Sequence, residues 1–78
     1  MAQSELLNLI KAGGEEWNRW RHDSGSVADL IEADLSGFDL TNFNFSSAFL
    51  NDANLSGANL TYADLRGASF AGRRPLPM

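Results

Sequence analysis

The chain has no cysteine and a single histidine, His22, in its 78 residues. Without thiols there is no disulfide framework and no thiolate metal site, and the redox compartment stays open. One histidine and scattered carboxylates give no nucleophile–base pair at a recognisable spacing, so no catalytic residue is expected. Cations are scarce: six Lys and Arg stand against ten Asp and Glu, a net charge of −4. A surface that neutralises nucleic-acid phosphates needs clustered cations, which argues against a nucleic-acid partner. Long apolar runs are missing too. The opening stretch MAQSELLNLIKAGG carries an early acid and no extended apolar segment. Neither a membrane span nor a signal peptide is expected, and the reading places the protein in the cytoplasm. Glycine-rich phosphate loops and zinc-ligand spacings are also absent, so no cofactor and no metal are expected.

What is present is a count of five. From Ala33 to Gly72 the chain divides into ADLSG, FDLTN, FNFSS, AFLND, ANLSG, ANLTY, ADLRG and ASFAG. The third place is always Leu or Phe: Leu35, Leu40, Phe45, Leu50, Leu55, Leu60, Leu65 and Phe70. The first place is Ala except at Phe38 and Phe43. Neither the helical period of 3.6 nor the strand period of 2 returns one face every five residues. A chain that turns one corner per quintet does. Small residues at the first place leave room where walls approach, the third place fills the axis, and Asp, Asn, Ser, Thr and Gly suit the corners.

These eight quintets resemble the pentapeptide-repeat family, A(D/N)Lxx, over about half the chain. The resemblance implies an all-β solenoid, a right-handed quadrilateral β-helix with four quintets per coil. Eight quintets then make two coils, and residues twenty apart stack: Leu35 on Leu55, Leu40 on Leu60, Phe45 on Leu65, Leu50 on Phe70. The eight third-place residues form the coil core. Asp34, Asp39 and Asp64 fall at second places as repeat chemistry rather than as a converging metal site. Asn44, Asn54 and Asn59 open N-x-S/T triplets that the same repeat produces.

The reading divides the chain into an N-terminal helical cap (1–32), the repeats (33–72) and a C-terminal tail (73–78). In the cap, Ser4 suits the N-cap of a helix starting at Glu5, with Leu6, Leu7 and Ile10 on one face. Gly13-Gly14 breaks it. A second helical stretch covers Glu15 to Arg21, with its acids first and Arg21 last, as the helix dipole favours. His22 to Ser26 reads as a loop, and Val27, Leu30 and Ile31 lead into the repeats. This leader also resembles the helical segment before pentapeptide repeats in proteins of cyanobacterial type.

Trp17 and Trp20 share a helix face and, with Arg21, have two readings. They are a lid over Leu35, Leu40 and Phe45, or an exposed anchor for a partner. The lid accounts for both tryptophans without a partner. Phe49 fills a second place that is otherwise polar, either as a local binding spot or as a lone surface aromatic. The C-terminal end shows no cap: Arg73, Arg74, Pro75, Leu76, Pro77 and Met78 cannot make a covering helix. The open end around Phe70 calls for a homodimer through the C-terminal coil, as the family resemblance also implies, for Leu76 folding back on Phe70, or for continuation of a longer array.

The function expected is a non-enzymatic protein-interaction or scaffold module, acting on itself and on an unidentified protein partner. The alternative that the family suggests is an acidic DNA mimic that inhibits a type II topoisomerase. Two coils span only about 10 Å, over which duplex DNA presents about six charges. The quintets supply Asp34, Asp39, Asp52 and Asp64 on four different faces, with Arg66 among them.

Overall fold

Each quintet closes with a turn, and the turn explains the period. The N–H of each first place donates to the C=O of the third place three residues earlier, from Ala33 to Leu30 through Ala68 to Leu65, at 3.0–3.3 Å. The fifth place lies in the left-handed region: Glu32, Asn42, Ser47, Asp52 and Tyr62, together with Gly37, Gly57 and Gly67, have φ between 57° and 74°. A positive φ at the third turn residue is the requirement of a type II turn. The second place locks the next two residues. The Oδ1 atoms of Asp29, Asp34, Asp39, Asn44, Asn54, Asn59 and Asp64 accept the N–H two residues on, at 2.9–3.2 Å. These are Asx turns, and they account for the Asp/Asn alternation.

The computed structural model describes residues 3–25 and 27–70. Parallel bridges join residues twenty apart: Asp29 with Phe49, Asp34 with Asn54, Asp39 with Asn59, Asn44 with Asp64, and Phe49 with Ser69. The quintets therefore lie in two tiers, 28–47 above 48–67, with the next round starting at 68. Four walls result: 28–32 over 48–52, 33–37 over 53–57, 38–42 over 58–62, and 43–47 over 63–67. Pairing begins at Asp29, one quintet before Ala33. The segment Ala28-Asp29-Leu30-Ile31-Glu32 takes the same turn, with Ala28 and Leu30 fully buried.

The expected all-β class, a right-handed quadrilateral β-helix, is corrected by this geometry. Among the described residues there is no β-strand and no sheet; the regular elements are two α-helices. The physical reason lies in the quintet. Only its second residue is bridged. Over the turn a single bond per wall joins the tiers, from the fifth-place N–H to the fourth-place carbonyl below, as from Glu32 to Asn51 and Ser47 to Arg66. No second bridge forms to extend the first into a strand. The result is a stack of hydrogen-bonded turns under two helices.

Helix α1 spans Gln3–Ala12 and α2 spans Gly14–Ser24. Leu6 and Ile10, one helical turn apart, are buried, and Leu7 and Leu9 pack partly against the core. Ser4 lies inside the first turn of α1 rather than capping it, because the helix starts earlier, at Gln3. Gly13 (φ 119°) makes the sharp junction between the helices. At Gly14 a Cβ would come within 3.3 Å of the Phe43 ring, so a hydrogen there lets α2 sit close on the stack. His22 is in the last turn of α2, not in a loop; the helix ends at Gly25, whose left-handed backbone returns its N–H to the Arg21 carbonyl.

The core is continuous through helices and stack. Trp17, Leu30, Leu35, Leu40 and Phe45 are fully buried, with Leu50 and Leu55 nearly so. Leu60, Leu65 and Phe70 are only partly buried, so the core thins towards the lower tier.

Candidate functional site

A stack of turns has two edges, and each edge bares backbone. In the lower tier, the N–H of Asn54 donates upward to the Ala33 carbonyl, and its C=O accepts from Leu35. The same groups of the upper tier point away from the stack. On the 43–47 wall, α2 meets them with side chains. Asn44 donates its N–H to Asn18 Oδ1 and accepts Trp17 Nε1–H at its C=O, each at 2.8 Å. Asn18 Nδ2 donates to the Asn42 carbonyl at 3.0 Å, and the Arg21 guanidinium donates to the Ser46 carbonyl. On the 28–32 wall, Gln3 Nε2 donates to the Ile31 carbonyl at 2.8 Å. One turn of α2 thus stands in for a missing tier. Burial of the Arg21 side chain lowers its pKa from the ordinary guanidinium value.

The Trp pair lies within this cap. Trp17 is fully buried, with its ring centroid 5.4 Å from Phe45, 6.3 Å from Phe43 and 5.1 Å from Trp20. Phe43 and Phe45 stack at 5.6 Å. Trp20 is partly buried against the same cluster. Asn18 is the cap residue that sequence reasoning passed over. Its amide carries a donor and an acceptor like a peptide group, but only its position over Asn42 and Asn44 reveals the match.

The lower edge differs. In the upper tier the Ala33 C=O and Leu35 N–H bond to the tier below. No bond forms among the described residues to the equivalent C=O groups of Ala53, Ala58 and Ala63, or to the N–H groups of Leu55, Leu60 and Leu65. Beside them are the partly buried Leu60, Leu65 and Phe70, and Tyr62, which is 85% exposed. Tyr62 also holds a left-handed φ of 59°. Leu76, the other candidate for this end, lies outside the described residues, as does the whole 73–78 tail.

The outer walls are polar except where the quintet pattern breaks. Phe49 is 43% exposed, bridged above to Asp29 and below to Ser69. On the opposite side of the chemistry ledger, Asp64 accepts from Arg66 Nη2 at 2.8 Å and Nε at 3.0 Å. That side-chain bond, then the Arg66 backbone N–H, holds the Asp64 carboxyl down at about 2. Among the described residues no cluster of three or more His, Cys, Asp or Glu could hold a metal ion, and no helix is long and apolar enough to cross a membrane.

The family described as pentapeptide repeats, in eight copies, matches residues 39–72. No curated protein and no solved structure matches the chain.

Proposed function

From the premise that the chain is a pentapeptide-repeat protein, a family that is generally non-enzymatic, we propose that it is a protein-interaction or scaffold module of the cytoplasm, working as a homodimer. The observation that carries this reading is the asymmetry of the two edges. Helix α2 satisfies the upper edge of the 43–47 wall with Trp17, Asn18 and Arg21. Among the described residues, carbonyls and N–H groups of the 53–67 segment on the lower edge find no partner, beside half-covered Leu60, Leu65 and Phe70. Unpaired backbone beside apolar side chains is a pairing template. Tyr62 supplies the kind of amphipathic aromatic that dominates interface energetics. A second copy, turned about a two-fold axis, offers the same edge in return.

The alternative, an acidic decoy for a type II topoisomerase, draws only on the excess of acids. Asp34, Asp39 and Asp64 stand on three different walls, and Arg66 offsets Asp64. Solution mass by light scattering tests the dimer, where a single species of monomer mass overturns it. A supercoiling assay with a type II topoisomerase tests the decoy, which requires inhibition at low micromolar protein.

A further inference from the structure

Three of the four large apolar side chains that are exposed among the described residues belong to one wall and its entry. Val27 is 59% exposed, Ile31 39% and Phe49 43%. Asp29 is bridged directly to Phe49, and Ile31 follows two places along the same rung. The patch is lateral and separate from the lower edge proposed for dimerisation.

Phe49 breaks the rule that builds the walls. Asp or Asn at the second place of the other quintets of both tiers accepts the N–H two residues on, and that bond fixes the turn. A phenyl ring cannot accept it, and no such bond reaches the Asn51 N–H. The chain forgoes a local hydrogen bond and exposes an aromatic ring instead, a departure that is expected where function overrides local consistency. Among the described residues of this wall the charge has one sign. Asp29 and Glu32 flank the patch, and neither 27–32 nor 48–52 contains Lys or Arg.

The geometry points to a docking wall for another protein, one that presents a short segment with an aliphatic or aromatic anchor flanked by Lys or Arg. The exposed Ile31 and Phe49, on adjacent rungs of the same wall, take the anchor, because exposed apolar surface rimmed by polar groups is the form of an interaction site. The acidic rim selects basic flanks and repels acidic ones, and it disfavours an anionic lipid surface. The occupant is thus fixed by charge and by the exposed Ile31 and Phe49 in the same wall.

The test uses the full chain and a displayed library of random twelve-residue peptides, with Phe49→Asn as the comparison. Asn restores the acceptor of the Asx turn, so the variant is expected to stay folded and melt within about 5 °C of the parent, equivalent to about 1 kcal/mol in a domain of this size. Enriched peptides are expected to carry Leu, Phe or Trp beside Lys or Arg. Their affinity should fall at least about tenfold on Phe49→Asn and weaken as salt rises from about 0.05 to about 0.5 M. Phe49→Leu should keep most of it. Failure to enrich peptides of that pattern, or equal binding to Phe49→Asn, overturns the proposal. A melting loss beyond about 10 °C on Phe49→Asn makes the ring structural and overturns it as well. So does a change in solution mass on that substitution, which assigns the wall to a second copy, or Phe49-dependent binding to phosphatidylcholine vesicles, which assigns it to a membrane.

Discussion

At the scale of the residue, the fifth place of the quintet sets a conformational demand that five side chains meet at a cost. Ser47 holds φ 58° while Gly67, directly below it in the same wall, holds φ 71°. A left-handed backbone costs an L-residue roughly 1–2 kcal/mol, against about 0.5–1 kcal/mol of extra chain entropy for glycine. Ser47→Gly should therefore raise the unfolding free energy by about 0.5 kcal/mol, read from urea titration. Gly67→Ala should lower it by about 1–2 kcal/mol, since its Cβ would also meet Ser47 Oγ at 3.3 Å. The second place makes a different demand. The Asp64 carboxyl is held at about 2 by the Arg66 side chain and backbone N–H, and Asp39 is lowered by Thr41 in the same way. A depressed folded-state pKa means that the contribution is whole above the unfolded value near 4 and is lost as pH falls through about 2. The urea midpoint should fall from about pH 4 to about pH 2, and Asp64→Asn should flatten that slope. A midpoint whose pH dependence ignores Asp64→Asn would show that Arg66 holds the carboxylate equally in the unfolded chain.

At the scale of the element, α2 is a helix whose important face is polar. Its hydrogen bonds to Asn42, Asn44 and Ser46 replace those a further tier would make. Asn18→Ala removes a donor and an acceptor together, which should cost about 1–3 kcal/mol. It should also speed hydrogen exchange at the Asn44 amide, because that N–H loses its acceptor. An unchanged Asn44 exchange rate would place the hold of the cap on Trp17 and Arg21 rather than Asn18. The same element shows what the sequence could tell. Trp17 and Trp20 were readable as a pair because size and spacing are properties of the segment itself. Asn18 was not, since its partners lie 24 and 26 residues away. The quintet count was legible from Ala33 onward, where every quintet carries Leu or Phe at its centre and small or polar residues in most corner places. The 28–32 quintet escaped it because Ile31 and Glu32 fill the turn with residues that no turn rule predicts. The β-strands implied by the resemblance do not form for a related reason. The period marks where chain returns to chain, but a single bridged residue per corner is too short a contact to make a strand.

At the scale of the whole molecule, the edges decide the assembly. Head-to-tail stacking would place the lower edge of one copy on the upper edge of the next and would grow without limit. The helices stand in its way where they cover the upper edge, because α2 already occupies Asn42, Asn44 and Ser46, and Gln3 occupies Ile31. In the dimer proposed above, two lower edges face each other and close the assembly at two. The expected mass is about 17 kDa, twice the 8.5 kDa chain, with no further growth as concentration rises through the micromolar range. Tyr62→Asp tests the contact without disturbing the core, since Tyr62 is 85% exposed in the single chain. Its circular dichroism spectrum should match the parent, while its mass should fall towards 8.5 kDa because a charge would have to be buried at the contact. A parent of 8.5 kDa removes the dimer outright. A dimer that survives Tyr62→Asp unchanged moves the contact away from the lower edge, to a wall whose backbone is already satisfied.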